Sequence, residues 1–140
     1  MTEIRYAKIS DEASYLALDK HISCKTFREK IAKKECYVLM YDGAIVGVLR
    51  YGLFWDSIPF CNLIFISDDF RGKGLGKELM TYWEKEMRAL GYGLVITSTQ
   101  TDENAQYFYR KLGYKEGGCL ILDVPEYAQP MEMFFVKSIK

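Results

Sequence analysis

A continuous apolar run, "CNLIFI" from Cys61 to Ile66, leads through a turn with three glycines in five positions, "RGKGLG" from Arg71 to Gly76, into a segment of helical periodicity. There Leu75, Leu79, Tyr82, Trp83, Met87 and Leu90 recur at about helical spacing, and Gly91 supplies a left-handed stop. "GLVITST" then reads as a strand. Strand, helix and strand in that order form a βαβ unit, with a right-handed crossover and outer strands that can lie parallel. The unbroken apolar character of the first strand predicts cover on both of its faces.

The remaining elements are placed around this unit. "EIRYAKI" alternates well enough for an opening strand, and Ser10 or Asp11 caps a helix carrying Ala13, Leu16 and Ala17. "CKTFREKIAKK" makes a second helix through Phe27 and Ile31. "CYVLMYDGAIVGVLRYGLF" places two β-prone runs around Asp42-Gly43, a dipeptide favoured in tight hairpin turns. "GLFWDSIPF" reads as an aromatic connection. "DENAQYFYRKLG" is a helix with Ala105, Phe108, Tyr109 and Leu112 on its apolar face, closed by Gly113. "YKEGGCLILDV" and "MEMFFVKSI" are the last two strands, separated by Pro125 and Pro130. The order β-α-α-β-β-β-α-β-α-β-β predicts an α/β (α+β) fold, with a mixed central sheet of about seven strands flanked by about four helices. A chain of 140 residues, 49% hydrophobic and without a linker-like stretch, is expected to be one domain over 1–140.

Nineteen basic and nineteen acidic side chains cancel, which argues against a nucleic acid or a membrane surface as partner. Any anionic ligand is held locally. No signal-peptide pattern opens the chain and no apolar run reaches the roughly 18 residues of a membrane span, so a soluble, cytoplasmic protein is expected. Cys24, Cys36, Cys61 and Cys119 are widely separated, as suits reduced thiols. With His21 the lone histidine and no carboxylate cluster, no metal site is expected.

The glycine turn is the candidate for local anion binding. A helix start offers N–H groups without intrahelical acceptors and the positive end of a dipole, and glycine lets a phosphate approach without meeting a Cβ. Arg71, Lys73 and Lys77 can add charge at the rim. The same residues would also serve a turn that merely needs positive φ and solvated charges. Two well-known phosphate motifs fail: Gly76-Lys77 is followed by Glu78 rather than Ser or Thr, and the glycine spacing is G-x-G-x-G rather than G-x-G-x-x-G.

"LIFISDDFRGKGLGKELM" resembles the acyl-CoA-binding segment of the GNAT superfamily of N-acetyltransferases, in which an Arg or Gln, two residues, Gly, one residue and Gly or Ala follow one another. "AQYFYRKLGY" resembles the family's next motif, a helix with an aromatic-Tyr pair that ends in Lys, Gly and an aromatic residue. The order of elements over nearly the whole chain matches as well. The resemblance implies acetyl-CoA as co-substrate and acetyl transfer to a primary amine of a small molecule or peptide, directly within a ternary complex. It implies that backbone groups of Ile64, Phe65 and Ile66 meet the pantetheine arm and thioester carbonyl. Arg71, Gly72, Lys73, Gly74, Leu75 and Gly76 would wrap the pyrophosphate, in a gap between splayed fourth and fifth strands.

Such a reaction needs an uncharged amine, donors aimed at a developing oxyanion, and an acid for the departing thiolate. The resemblance gives the acid's place to Tyr109; on residues alone, a tyrosine on an apolar helix face packs in a core. A phenol of reference pKa about 10 can donate to a thiolate without a large penalty. Where many relatives carry a strand carboxylate as base, this chain has Phe60 and Thr97, leaving water or a loop acid such as Asp56. An Asn frequent in relatives is replaced by Asp102, which could instead cap the helix; Asn104, two residues on, is carried as a cofactor contact. The acceptor pocket is expected from Phe27, "LFWDS" and "VPEYAQP", with Phe54, Trp55 and Tyr127 as an aromatic wall or as cover for a core edge. His21 reads as a surface residue. A non-catalytic acyl-CoA-binding module is the alternative function, and the resemblance leaves a homodimer open.

Overall fold

The computed structural model describes residues 1–140. Its strands are β1 (Thr2–Tyr6), β2 (Cys36–Tyr41), β3 (Ala44–Phe54), β4 (Ile58–Ile66), β5 (Leu94–Gln100), β6 (Lys115–Leu120) and β7 (Glu132–Ser138). Its helices are α1 (Glu12–Leu18), α2 (Cys24–Ala32), α3 (Leu75–Ala89) and α4 (Ala105–Lys111). The element order is the expected one. The seven strands form one sheet in the order β1-β2-β3-β4-β5-β7-β6. The chain divides into two compact units, Met1–Gly52 with Asn62–Glu86, and Leu53–Cys61 with Met87–Lys140. No helix is long and apolar enough to cross a membrane.

In the first unit β1, β2 and β3 run antiparallel, from Thr2↔Tyr41 to Tyr6↔Tyr37 and from Cys36↔Arg50 to Tyr41↔Ala44, with an irregularity between Leu39 and Met40. Asp42 and Gly43 both take positive φ, 50° and 86°, as the tight turn between β2 and β3 demands. Alternation along β2 splits its side chains between two layers. Cys36 and Val38 join Tyr15 of α1 and Phe27 of α2 in one core cluster. Tyr37 meets Tyr82 of α3 edge-on at 5.9 Å. Along α3 the expected positions Leu75, Leu79, Trp83 and Met87 are buried, joined by Met80, whereas Leu90 beyond the helix is exposed.

Three expectations need correction. Of the expected face of α1, Leu16 packs against the core but Ala13 and Ala17 are exposed, and the buried residue is Tyr15: its ring reaches the core, tilted against Phe27 at 4.8 Å, where two alanines would fall short. Asp11 precedes α1 but does not cap it with its side chain, because both carboxylate oxygens accept from Arg5 and one also accepts from the Lys8 N–H. The apolar run of β4 is also only partly covered: Cys61 and Ile66 are buried, Asn62 is exposed and Leu63 to Phe65 are half-buried.

The end of α1 is fastened by a buried ion pair. Asp19 is fully buried and accepts from Arg50 Nε of β3 at 2.8 Å, from the Tyr15 hydroxyl at 3.1 Å and from the His21 N–H at 3.2 Å. Four donors on one carboxylate, counting the longer Arg50 contact at 3.5 Å, offset the cost of removing it from water.

In the second unit β7 lies between β5 and β6, antiparallel to both, with Thr97↔Phe135 and Cys119↔Met133 among the pairs. The start of β4 joins β5 in parallel through Phe60↔Ile96 and Cys61↔Thr97, as the βαβ reading requires. The aromatic connection expected after β3 is instead a second tight hairpin turn. Trp55 and Asp56 take φ of 55° and 58°, and the Ser57 N–H donates to Phe54 O at 3.1 Å. The turn closes without Gly or Asn, the residues that usually signal it.

Two measurements test these contacts. Removing one partner of a buried pair leaves an uncompensated charge, so Asp19→Asn is expected to lower unfolding stability in urea by about 3 kcal/mol. The Arg5 guanidinium, with help from the Lys8 N–H, holds the Asp11 carboxyl below its ordinary value. A carboxyl depressed in the folded state stabilises fully above its unfolded pKa of about 3.9, and that contribution is lost as pH falls through the folded value. Asp11→Asn should therefore be less stable than the parent at pH 7, with the difference narrowing steadily below about pH 4.

Candidate functional site

The glycine turn belongs to the first unit. β4 ends at Ile66, and the Ser67 N–H donates to Val46 O at 2.8 Å. A 3-10 turn over Asp68–Phe70 follows, then Arg71 in extended conformation. Gly72 and Gly74 take φ of 76° and 78°, and a Cβ at either would meet nothing within 4 Å. Glycine is needed there for its backbone conformation, and the space above it is open. The first helical bond of α3 runs from the Glu78 N–H to Gly74 O at 3.1 Å. The N–H groups of Leu75, Gly76 and Lys77 thus precede any intrahelical acceptor, at the positive end of a helix that runs to Ala89. This arrangement can hold an anion through backbone N–H groups.

The basic side chains contribute less than their number suggests. Arg71 turns back on the strand end: its Nε donates to Ile66 O at 3.0 Å, its guanidinium pairs with Asp68 at 3.3 Å and it lies 4.9 Å over the Phe65 ring. Lys73 sits over the rings of Tyr41 and Phe70, at 5.7 and 5.3 Å. Lys77 is exposed. Among the strand residues, Ile64 and Phe65 are half-buried and Ile66 is buried, with its carbonyl engaged by Arg71.

Tyr109 belongs to the second unit. α4 is short, and its end is closed by Gly113 at φ 93°, with the Gly113 N–H donating to Arg110 O at 3.0 Å and the Tyr114 N–H to Tyr109 O at 3.1 Å. Tyr109 is 5% exposed and touches the rings of Phe108, Tyr114 and Phe135 at 5.4, 5.7 and 5.8 Å. Burial pushes its phenol well above the usual tyrosine range, and Cys61, Glu103 and Glu132 push the same way. The neighbouring Thr97 hydroxyl offsets part of the rise. Thr97, fully buried, donates its own hydroxyl proton to Cys61 O at 3.1 Å.

The other candidates separate clearly. Phe60 and Thr97 stand on the parallel strand pair and neither is a base. Asp56 lies at the exposed tip of the second hairpin turn. Asn104, exposed, is the residue immediately before α4, although its side chain makes no capping bond; Asp102 lies earlier in the turn and does not cap the helix. Phe27 is fully buried in a core cluster, which removes it from any acceptor pocket. Tyr127 and His21 are exposed. Glu103 and Glu132 are the carboxylates that sequence reading missed. Glu103 accepts from Thr99 Oγ1 at 3.4 Å, and Glu132 faces Gln100 across the ladder and accepts from Gln129 Nε2 at 3.1 Å. Their bearing on Tyr109 follows from the pairing of β5 with β7, which no local spacing reveals.

Gly74→Ala separates conformation from contact, since open space awaits the new methyl group. Left-handed backbone costs a residue with a Cβ about 1 to 2 kcal/mol. Urea denaturation should show a loss of about 1 kcal/mol for Gly74→Ala, and a much smaller change for an alanine at Gly76, whose φ is not positive.

Residues 32–116 match the family model described as an acetyltransferase (GNAT) domain, more than half of the chain. No curated protein matches the sequence. Among solved structures, an N-acetyltransferase from Staphylococcus aureus Mu50 superimposes with a TM-score of 0.83 at 20% identity, over 100% of this chain and 99% of that one. The ribosomal-protein-S18-alanine N-acetyltransferase of Escherichia coli gives 0.84 at 17% identity, over 100% and 95%. The protein yncA of Salmonella typhimurium, solved with its cofactor acetyl-CoA, gives 0.82 at 15% identity, over 99% and 94%. At these identities the structural likeness establishes the fold.

Proposed function

The chain belongs to the GNAT acetyltransferase family, and from that premise we propose that it is an acetyl-CoA-dependent N-acetyltransferase, moving an acetyl group directly to a primary amine of a small molecule or peptide. The observation that carries this reading is the turn at Gly72 and Gly74, whose positive φ and open Cβ positions bare the backbone at the start of α3. Backbone N–H groups from Gly72 to Gly76 suit a pyrophosphate better than the side chain of Arg71 does, because that guanidinium is engaged by Ile66 and Asp68. Ile64, Phe65 and Ile66 would flank the pantetheine arm, Lys73 and Leu75 belong to the phosphate turn, and Asn104 is an additional contact. Acetyl-CoA, when bound, supplies the thioester acyl group.

Tyr109 is the acid in this reading. An ordinary phenol already carries its proton at physiological pH, and burial raises the cost of giving that proton up. Each unit of mismatch with the acceptor of that proton costs about 1.4 kcal/mol. The same low-polarity surroundings raise the basicity of a thiolate placed beside it, which keeps donor and acceptor near balance. The proton lost by the amine leaves through water, because Phe60 and Thr97 provide no base. We read residues 1–140 as one acetyltransferase domain working in the cytoplasm without a metal, alone or as a homodimer.

Calorimetric titration with acetyl-CoA, using ATP and NAD as controls, tests the binding half. Acetyl-CoA should bind alone among the three, and Gly74→Ala should weaken it. Tyr109→Phe tests the chemistry: with an amine that supports turnover, kcat is expected to fall about 100-fold while acetyl-CoA affinity stays within a factor of two. Intact acetyl-CoA binding with no turnover of any amine would favour a non-catalytic acyl-CoA-binding module.

A further inference from the structure

Four aromatic rings form a continuous strip in the second unit. Phe54 and Trp55 stand 4.7 Å apart, Phe54 stacks on Phe60 at 6.1 Å and Phe60 meets Phe134 edge-on at 5.9 Å. Trp55 is 77% exposed and Phe54 36%, while Phe60 and Phe134 are half-buried. The indole stays in water on a turn whose positive φ, 55°, disfavours any side chain with a Cβ. Strand pairing imposes this φ, and the exposed ring that the turn carries is left available to a ligand.

Charge narrows what can use it. Asp56 follows Trp55 in the turn, and Glu132 lies two residues before Phe134 on β7, on the same face of the strand. Ring faces carry negative potential, so rings flanked by two carboxylates are complementary to a cation with an apolar body. The cations nearby are drawn elsewhere: Arg110 lies over Phe135 and pairs with Glu116, and Lys137 lies over Tyr114. Lys115 stands opposite Val136, two residues beyond Phe134 on the same face of the sheet.

We propose that this strip seats the acceptor, a primary amine that arrives as its ammonium on an aromatic or bulky apolar body, with Phe54, Trp55, Phe60 and Phe134 receiving the body and Glu132 and Asp56 attracting the charge before the amine gives its proton to water and reacts. The assignment rests on the acetyl-transfer reading for its biological sense, but binding can be measured without it. The chain has two tryptophans, Trp55 and the fully buried Trp83, so a change in solvent-sensitive emission reports Trp55.

The test titrates the protein with 2-phenylethylamine, with n-propylamine as a charge lacking a ring and 2-phenylethanol as a ring lacking a charge. The expected result is a saturable emission change for 2-phenylethylamine, with a Kd roughly tenfold or more below that of either control. Glu132→Gln should weaken it about fivefold. Trp55→Ala, followed by calorimetry, should weaken it about tenfold and, in turnover assays, raise KM with kcat nearly unchanged. Equal binding of the three probes, or parental affinity in both variants, would overturn the proposal. A parallel acetyl-CoA titration keeps the two readings apart: acetyl-CoA binding without amine preference sinks the strip alone. Selective amine binding without acetyl-CoA binding upholds the strip and sinks acetyl transfer.

Discussion

The hydrogen bond from Thr97 Oγ1 to Cys61 O is the constraint that ties the parallel strand pair of the second unit, the pair against which the proposed proton donor packs. It lies across a parallel strand pair, where ladder bonds are slanted, and a side-chain donor ties one strand to the backbone of the next. Threonine suits the place twice over, since its branched Cβ favours strand conformation and its hydroxyl satisfies a carbonyl at a fully buried position. A carboxylate there would need its own donors in the absence of water. With a neutral hydroxyl instead, Thr97 can moderate the Tyr109 phenol without being able to take a proton from an amine.

Positive φ is handled in two ways in this chain. At Gly72 and Gly74 the missing Cβ removes the strain, and what remains is an accessible backbone. At Trp55 and Asp56 residues with a Cβ are held in the same region because long strands on either side of the turn fix its ends. The first device exposes polar N–H groups and the second exposes an apolar ring. Elsewhere the fold spends buried polarity on anchoring: Asp19 binds the end of α1 to β3 through Arg50, and Arg5 draws Asp11 out of a helix-capping role.

Legibility in the sequence follows from how local each signal is. Asp42-Gly43, the periodic face of α3 and the order of all eleven helices and strands depend on neighbours in the chain, and all could be read there. The second hairpin turn could not, because Trp55-Asp56 offers neither glycine nor asparagine and its geometry is imposed by strand pairing. The inward face of α1 was read from small apolar residues, yet the large ring of Tyr15 decides it through contact with Phe27. Tyr109 was legible as a candidate only through its motif; its depth, and the influence of Glu103 and Glu132, come from tertiary pairing. Arg71 shows the opposite failure, since a conspicuous cation beside glycines invites an anion-binding role while its hydrogen bonds go to Ile66 and Asp68.

These assignments divide the work by the kind of physics each task needs. Pyrophosphate geometry repeats among all molecules that carry it, so a rigid backbone turn can serve, and side chains around it are free to vary. Proton donation needs one group that carries its proton at working pH, a condition that the neutral phenol of Tyr109 meets in the proposed reading. Acceptor choice is different, since it must discriminate among amines that share one reactive group. In the proposed reading that discrimination falls to exposed side chains, where a single ring or carboxylate can change without disturbing a buried core. The strained and solvent-facing turn at Trp55 is the part of this chain most able to vary in that way.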